Sequence, residues 1–295
     1  MHKVYLIYNP VSGNKKSHLI VEKVLQIFDK GGLKTDVIKT EYAGHARELA
    51  GSLDFSDYDG LCVIGGDGTM HEIVNGMLKR EDKAKIPIGL IPGGTGNSFM
   101  RDIDALDPEV AALRILTGRT RKVDIAKVEA KGEIIYGFNI VGWGLATEIL
   151  QTANKLKWLG GQCYNVASIV EIIRNKPRLA RLKIEKQKLA GDYGFILGCN
   201  TINTGKAMKM APLAQTNDGL IGLIVLRKAG RPAMLYLFTK LFKGRHVGHP
   251  AVGYYQIKQF SIEPLEDHVL NIDGELIGCT PVNVKMLPGE IEVLV

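Results

Sequence analysis

The chain has 295 residues with 38 basic and 31 acidic side chains, which gives a formal charge of +7. Its hydrophobic fraction of 45% and charged fraction of 23% are ordinary for a globular protein and exclude a disordered or fibrous chain. The length favours two domains over one. No apolar run approaches the roughly 18 residues of a membrane span, and the N-terminal apolar run is too short for a signal peptide, so the sequence predicts a cytoplasmic protein.

The predicted elements of residues 1–124 alternate between strand and helix. Apolar, β-prone runs predict strands at residues 3–8, 36–40, 60–64 and 86–91. Apolar positions at helical spacing predict helices from residue 17 and over residues 45–53, 69–78 and 108–116. Strands separated by helices form βαβ units, so this region is expected to be a doubly wound, Rossmann-like α/β domain with a parallel sheet.

The rhythm changes after about residue 124, where strand-like segments follow one another with fewer helices. Strands are predicted at residues 123–129, 134–141, 179–185, 193–199, 220–226, 256–263, 269–272, 282–286 and 291–294, and helices at 162–173 and 232–242. This spacing predicts a mostly antiparallel β-sandwich over residues 125–286.

Three glycine-rich turns follow strands of the first domain. They are Asn9-Pro10-Val11-Ser12-Gly13, Gly65-Gly66-Asp67-Gly68-Thr69 and Pro92-Gly93-Gly94-Thr95-Gly96-Asn97. The carboxyl ends of parallel strands share one sheet edge, and glycine lets backbone amides approach phosphate oxygens closely. A carboxylate inside such a turn, Asp67, suits Mg²⁺ beside a polyphosphate. Each turn alone could be a plain tight turn, but three together predict a nucleotide site that is neither a P-loop nor a dinucleotide fingerprint.

These turns, together with the run Gly65–Gly76 and the segment Asp273-Gly274-Glu275, make the sequence resemble the diacylglycerol kinase catalytic-domain family. Secondary matches are Lys122-Val123-Asp124 and the stretch from Ala211 to Leu220. The resemblance extends over essentially the whole chain. It implies an NAD kinase-like α/β domain, a β-sandwich lipid domain with the active-site cleft between the two, and a final segment, about residues 287–295, that returns to the first domain.

By this resemblance the protein would be an ATP- and Mg-dependent lipid kinase that transfers the γ-phosphate to a lipid hydroxyl. The residues expected to bind the nucleotide are Asn9, Pro10, Ser12, Gly13, Thr40, Gly65, Gly66, Asp67, Gly68, Thr69, Met70, His71, Glu72, Gly93, Gly94, Thr95 and Asn97. Asp67 would organise the catalytic Mg²⁺.

Asp273 and Glu275 are the candidate bases, since a lipid hydroxyl is a poor nucleophile and a carboxylate must accept its proton. In an extended segment the two carboxylates would point the same way. We favour Glu275 as the proton acceptor, with Asp273 and Asp124 orienting it. A solvated hairpin turn is the competing interpretation of Asp-Gly-Glu.

A structural Mg²⁺ site is implied by the bacterial members of the family at Asp218 with the backbone carbonyls of Gln215 and Leu220. The surrounding loop is less acidic than the family pattern, so a plain turn stays open.

The acceptor is expected to be diacylglycerol, with a sphingosine- or ceramide-type lipid as the alternative. Glu148 stands near the position of acidic residues that suit the amine of sphingosine, but Leu150 follows two residues later. An NAD kinase relative and a non-catalytic nucleotide or nucleic-acid binder are further alternatives, although no nucleic-acid partner is expected.

The expected partner is a membrane surface, with peripheral association, and a homodimer stays open. The helix predicted at residues 232–242 is apolar and ends beside Lys243 and Arg245, which suits an anionic leaflet as well as an ordinary core helix. The four cysteines form no CxxC pair, so we expect reduced, mostly buried thiols.

Overall fold

A computed structural model of the chain describes residues 1–12, 17–94, 97–174, 176–205 and 208–295. The chain forms two compact units, the first made of Met1–Ile125 with Pro288–Val295 and the second of Ala126–Leu287. The sequence had placed these boundaries after residue 124 and at about residue 287.

The first unit is an α/β unit around a parallel sheet. Its strands β1 (Lys3–Tyr8), β2 (Lys34–Lys39), β3 (Gly60–Gly65) and β4 (Ile88–Pro92) lie in the order β4-β3-β1-β2. Its helices are α1 (Ser17–Lys30), α2 (His45–Ser52), α3 (Asp67–Leu78), α4 (Ser98–Asp102) and α5 (Pro108–Leu116). Near the chain end, Val293 and Leu294 pair in parallel with Ile88 and Gly89 of β4.

Local sequence explains these elements directly. Strands β3 and β4 are buried at every position, as expected for parallel strands covered on both faces. Helix α5 begins with Pro108 after Asp107, whose carboxylate accepts the N–H groups of Glu109 and Val110. The alternation predicted for this half of the chain is therefore present, with strands and helices close to the expected positions.

The second unit is built mainly from antiparallel strands. They are β5 (Thr120–Ala130, which begins in the first unit), β6 (Glu133–Gly137), β7 (Ile140–Gly144), β8 (Arg178–Ile184), β9 (Gln187–Cys199), β10 (Asn203–Thr204), β11 (Met208–Lys209), β12 (Ile221–Arg227), β13 (Val252–Ile257), β14 (Gln259–Pro264), β15 (Val269–Ile272), β16 (Glu275–Cys279) and β17 (Val282–Leu294, which ends in the first unit). Its helices are α6 (Leu145–Lys155), a 3-10 helix at Lys157–Gln162, α7 (Cys163–Arg174) and α8 (Arg231–Leu241).

Alternation along these strands builds the core of the second unit. In β8, Ala180, Leu182 and Ile184 are buried while the residues between them face outward. The buried side chains meet those of β14 and the Val282–Met286 part of β17 in one cluster, which also contains Trp143. A second apolar cluster joins α6, α7 and α8 to Leu226 of β12, so the three helices cover part of the sheet. No helix in the described ranges is both long and apolar enough to span a bilayer.

Several element boundaries differ from the sequence-based prediction. The segments predicted as single strands at residues 134–141 and 256–263 are each two strands, whereas the two strands predicted at 282–286 and 291–294 are one, β17. Helices α4 and α6 were not predicted. Gly144, which directly precedes α6, adopts a φ of 80°, a left-handed backbone that a run of apolar residues does not reveal.

Candidate active site

The three glycine-rich turns begin at the carboxyl ends of β1, β3 and β4, where the second and third turns touch through their backbones and the first contacts the end of β3. The N–H groups of Gly93 and Gly94 both donate to the carbonyl oxygen of Gly65, at 2.8 and 3.1 Å. The N–H of Asn9 donates to the carbonyl oxygen of Ile64 at 3.2 Å. The predicted convergence on one sheet edge is present.

Close backbone approach is the reason for glycine at this edge. A Cβ on Gly94 would lie 2.6 Å from Cα of Gly66, and a Cβ on Gly93 would lie 3.2 Å from the backbone nitrogen of Gly65. Neither contact can be relieved by moving a flexible side chain. The two turns therefore fit together only without side chains, and their contact lies at the edge of the sheet where the N-terminus of α3 begins.

Asp67 links the second turn to the third. It is the first residue of α3, two residues earlier than the predicted helix start, and it is half-buried. Its carboxylate accepts the N–H of Ser98 at 2.8 Å and the N–H of Phe99 at 3.4 Å, at the beginning of α4. A negative charge at two helix N-termini is electrostatically favourable. The carboxylate therefore lies beside the beginnings of α3 and α4.

Asn9 and Thr40 stabilise the local backbone of the site. The Asn9 side-chain oxygen accepts the N–H of Val11 at 3.0 Å, and its carbonyl accepts the N–H of Ser12 at 3.1 Å. Thr40 is buried just after β2, and its N–H donates to the carbonyl of Tyr8. Gly13 and Thr95, predicted to bind the nucleotide, lie outside the described residues.

Three residues of α3 that were predicted to bind the nucleotide have side chains engaged within the first unit. The side chain of Met70 is fully buried in the core, so it is not available to a ligand. Glu72 accepts the N–H groups of Gly44 and Ala46, at 2.9 and 3.2 Å, where α2 begins. It therefore fixes the loop after β2 rather than facing solvent. His71 is buried and its ring contacts the side-chain amide of Asn75.

The segment Asp273-Gly274-Glu275 is a tight hairpin. Ile272 of β15 pairs with Glu275 of β16, and Asp273 and Gly274 between them have φ values of 55° and 92°. This is the left-handed geometry of a two-residue hairpin turn. The expectation that an extended segment points both carboxylates the same way is wrong, because Asp273 is buried and Glu275 is exposed.

Asp273 holds a neighbouring loop. Its carboxylate accepts the N–H groups of Phe138, Asn139 and Ile140, at 3.1, 2.8 and 3.0 Å, and its own N–H donates to the carbonyl of Ile140. These bonds bend the backbone between β6 and β7, which explains why one predicted strand is two. Asn271 was not predicted: it accepts the N–H of Gly274 and donates to the carbonyl of Ala146 at the start of α6. The turn sequence Asn-x-Asp-Gly is the signal that could have indicated it.

Asp124 is buried in the first unit, where its carboxylate accepts the N–H of Gly289 at 2.7 Å. This bond ties the returning C-terminal segment to β5. The contact is structural, and the proposed orienting role toward Glu275 stays a prediction.

The loop predicted to hold a second metal ion is an exposed turn. The Asp218 carboxylate accepts the N–H of Leu220 at 2.9 Å, and Gln215 is exposed. Within the described ranges no cluster of three or more His, Cys, Asp or Glu residues could hold a metal ion. Metal binding at Gln215, Asp218 and Leu220 stays a prediction, and the geometry matches the alternative of a plain Asx turn.

Glu148, in the first turn of α6, forms an ion pair with Arg178. Its carboxylate accepts from the guanidinium of Arg178, and both side chains are largely buried. The negative charge is therefore compensated within the second unit.

An α/β unit with interlocked glycine turns beside a carboxylate, followed by a β-rich unit, is the architecture expected of a two-domain protein that binds a phosphorylated ligand. Residues 3–128 match the family model of the diacylglycerol kinase catalytic domain, and residues 139–295 match the YegS C-terminal NAD kinase beta sandwich-like domain. The chain belongs to the diacylglycerol kinase catalytic-domain family. This confirms the resemblance inferred from the motifs and the prediction of a lipid kinase.

Curated relatives cover nearly the whole chain. A diacylglycerol kinase from Staphylococcus carnosus is 32% identical over 98% of this chain and 93% of its own length. Sphingosine kinase 1 from Arabidopsis thaliana is 27% identical over 94% of this chain and 68% of its own length. The family thus includes enzymes named for both of the acceptors considered above.

Solved structures confirm the predicted fold class. A crystal structure of a diacylglycerol kinase from Bacillus anthracis aligns with a TM-score of 0.81, at 25% identity, over 99% of this chain and 96% of that one. An NAD kinase from Archaeoglobus fulgidus, solved with ATP, aligns with a TM-score of 0.55 at 11% identity over 99% and 93%, which shows the fold alone.

Proposed function

We propose that this protein transfers the γ-phosphate of ATP to the hydroxyl of diacylglycerol, in a reaction that needs Mg²⁺. The observation that carries the proposal is the interlocked pair of turns at Gly65–Asp67 and Gly93–Gly94, which sets backbone amides and a carboxylate at one edge of the first unit. Family membership and relatives named diacylglycerol kinase support the choice of reaction.

The first unit would hold the nucleotide. First-turn amides of α3 point out of the helix N-terminus, where they and the positive end of the helix dipole favour phosphate. Mg²⁺ commonly binds through one or two carboxylates together with substrate phosphates and waters, so the single carboxylate of Asp67 fits this ion. When bound, Mg²⁺ would neutralise charge on the β- and γ-phosphates.

The second unit would activate the acceptor. Glu275 is exposed at the start of β16 and can accept the proton of the lipid hydroxyl as its oxygen bonds to the γ-phosphorus and the bond to ADP breaks. Asp273 is occupied by three backbone N–H groups, so we assign it the role of positioning the hairpin.

The pairing of Glu148 supports a neutral acceptor. An amine-bearing lipid would need an uncompensated carboxylate near its headgroup, and Arg178 already neutralises Glu148. Diacylglycerol carries no such charge. Sphingosine is therefore the second candidate, favoured by the relative from Arabidopsis thaliana but not by this ion pair.

The test is transfer of labelled phosphate from ATP to lipids in mixed micelles. Diacylglycerol, ceramide, sphingosine and, without micelles, NAD would be offered to the wild type, to Asp67→Asn and to Glu275→Gln. We expect labelled phosphatidic acid from the wild type and a loss of at least about a hundredfold in each variant. Labelling of sphingosine alone would make sphingosine the acceptor in place of diacylglycerol. Labelling of NAD alone would overturn the proposal.

A further inference from the structure

Helix α7 of the second unit buries apolar side chains on one face and exposes a second set of apolar side chains on the other. Its outward face carries Val166, Ile169 and Ile173, at a spacing of three and four residues, and all three are exposed. Its inward face buries two polar residues, Ser168 and Glu171, together with the apolar residues Cys163, Ala167 and Ile172. A surface helix normally turns its apolar stripe inward, so folding of this unit alone does not explain an apolar stripe in solvent.

The inward polar groups are satisfied, which shows that the helix is in its proper register. The Ser168 hydroxyl donates to the carbonyl of Tyr164 at 2.7 Å. The Glu171 carboxylate accepts from the Thr152 hydroxyl and from Arg174, at 2.5 and 2.7 Å. The outward apolar stripe is therefore not the result of a rotated helix and requires a partner outside the unit.

Aromatic and basic side chains extend this surface. In the 3-10 helix before α7, Trp158 is 78% exposed, and Lys155 and Lys157 stand beside it in sequence. Helix α8 packs against α7, where the Arg231 side chain donates to the carbonyl of Ile173 at 2.6 Å. Beyond this contact, α8 exposes Leu235 and Tyr236.

The basic residues near α8 indicate what kind of partner this surface would bind. Residues 219–262 contain seven basic and no acidic side chains, and among them Lys240, Lys243 and Arg245 lie at or just after the end of α8. The ammonium of Lys240 lies 4.8 Å from the ring centre of Tyr236. Protein–protein interfaces are depleted of lysine, whereas helices that lie on anionic bilayers combine an apolar stripe, aromatic residues and lysine or arginine.

We propose that α7, the 3-10 helix and the end of α8 form a membrane-docking surface that inserts Trp158, Ile169 and Ile173 into an anionic lipid bilayer. The basic residues around it would contact lipid phosphates. This inference rests on the proposed function only for its purpose, which is delivery of the enzyme to a lipid acceptor. The surface itself is argued from the exposed apolar stripe of α7 and from the charge.

The experiment is sedimentation with vesicles of phosphatidylcholine, with or without 30% phosphatidylglycerol, containing no diacylglycerol and no ATP. We expect the wild type to bind the anionic vesicles, with a blue shift of tryptophan fluorescence that Trp158→Phe removes. The double variant Ile169→Gln/Ile173→Gln should bind the anionic vesicles at least about tenfold more weakly than the wild type, because each substitution removes an apolar side chain that would be buried in the bilayer. Lys240→Gln/Lys243→Gln should reduce both the binding and its dependence on salt.

A matched control is available on α5, in the first unit. Val110 and Leu113 are 44% and 56% exposed, close to the 43% and 55% of Ile169 and Ile173, but Asp107 and Glu109 stand beside them. Val110→Gln/Leu113→Gln should bind vesicles like the wild type. Equal binding by the Ile169/Ile173 variant and the wild type would overturn the proposal, as would a wild-type dimer that only this variant dissociates.

Failure of the docking surface and failure of the proposed function are separable. A short-chain diacylglycerol dispersed in water needs no docking, so the Ile169/Ile173 variant should phosphorylate it at the wild-type rate. If the wild type phosphorylates no lipid but the variant still loses vesicle binding, the surface stands and the assigned reaction falls.

Discussion

The carboxylate of Asp67 accepts the backbone N–H of Ser98 at 2.8 Å, so one side chain joins the turn after β3 to the helix that follows the turn after β4. The residue expected to organise Mg²⁺ therefore also has a structural role. A loss of activity on mutation is not enough to assign the metal, because either role would produce it.

Asp67→Asn and Asp67→Ala separate the two roles. Asparagine keeps an oxygen that can accept the Ser98 N–H, whereas alanine removes it, so we expect only alanine to lower the free energy of unfolding, by about 1 kcal/mol. Both variants should lose phosphate transfer, because both lack the charge that Mg²⁺ needs. Urea unfolding and the labelled-ATP assay measure the two effects. An active Asp67→Asn would show that the residue acts only as a cap.

Gly94→Ala tests the contact between the turns. The added Cβ would lie 2.6 Å from Cα of Gly66, so the turns must separate; we expect a loss of about 1–3 kcal/mol of stability and much weaker ATP binding. Gly248→Ala is the control, because a Cβ there meets nothing within 4 Å. Calorimetric titration with ATP and thermal unfolding would measure both. Equal behaviour of the two variants would contradict the role assigned to the interlocked turns.

Much of the fold could be predicted because its signals are local. Continuous apolar runs located the buried strands β3 and β4, and helical spacing located α5, whose Asp107-Pro108 start is explicit in the sequence. What could not be predicted depends on distant contacts. The break between β6 and β7 is imposed by Asp273, more than 130 residues away along the chain.

For the candidate site, too, the features with a local sequence signal could be predicted and the others could not. The glycine turns were found because their composition is unusual, but the different environments of Asp273 and Glu275 were not, since an extended segment and a two-residue hairpin share the sequence Asp-Gly-Glu. The side chain of Met70 was expected to line the nucleotide because the resemblance covers the whole segment Gly65–His71. Helix α3 begins early enough to turn that side chain into the core.

Asp273→Asn should lower the free energy of unfolding, whereas Glu275→Gln should leave it nearly unchanged. Asparagine at position 273 faces three N–H donors with one acceptor oxygen, so at least one donor loses a good partner and we expect a loss of about 1–3 kcal/mol. Glu275 is exposed, so its variant should unfold within about 0.5 kcal/mol of the wild type yet lose catalysis. Urea unfolding and single-turnover kinetics distinguish them. A catalytically normal Glu275→Gln would remove the base from the proposal.

The cysteines should differ in reactivity. All four are thiols and not half-cystines; Cys62, Cys163 and Cys199 are buried and Cys279 is half-exposed. Burial raises the pKa of the Cys62 thiol to about 12, so very little of it is thiolate at neutral pH. We expect a disulfide reagent to modify one thiol in the native protein, at Cys279, and four after denaturation. Rapid native modification of Cys62, identified by peptide mapping, would contradict the buried environment of β3.

His246 should make stability depend on pH. It is buried, its Nε2 donates to the carbonyl of Met210 at 2.9 Å, and its Nδ1 has no hydrogen-bond partner among the described residues. Burial lowers the pKa of this imidazole below its ordinary value of 6.5, so the folded state keeps it neutral while the unfolded state takes up a proton as pH falls below about 6.5. The free energy of unfolding therefore decreases below that pH, with a slope of at most about 1.4 kcal/mol per pH unit from this group.

The variant His246→Gln can still donate to Met210 but cannot titrate. The measurement is urea unfolding of the wild type and the variant between pH 5 and 7.5. We expect the difference between their free energies of unfolding to become smaller as pH falls below about 6.5. Only the wild type loses stability there, because its imidazole stays neutral in the folded state and is protonated in the unfolded state. The pKa of His268 is also lowered, by burial and then by the charge of Arg178, so His268→Gln in parallel measures that second contribution. A difference between the wild type and His246→Gln that does not change over this range would show that His246 is protonated equally in both states.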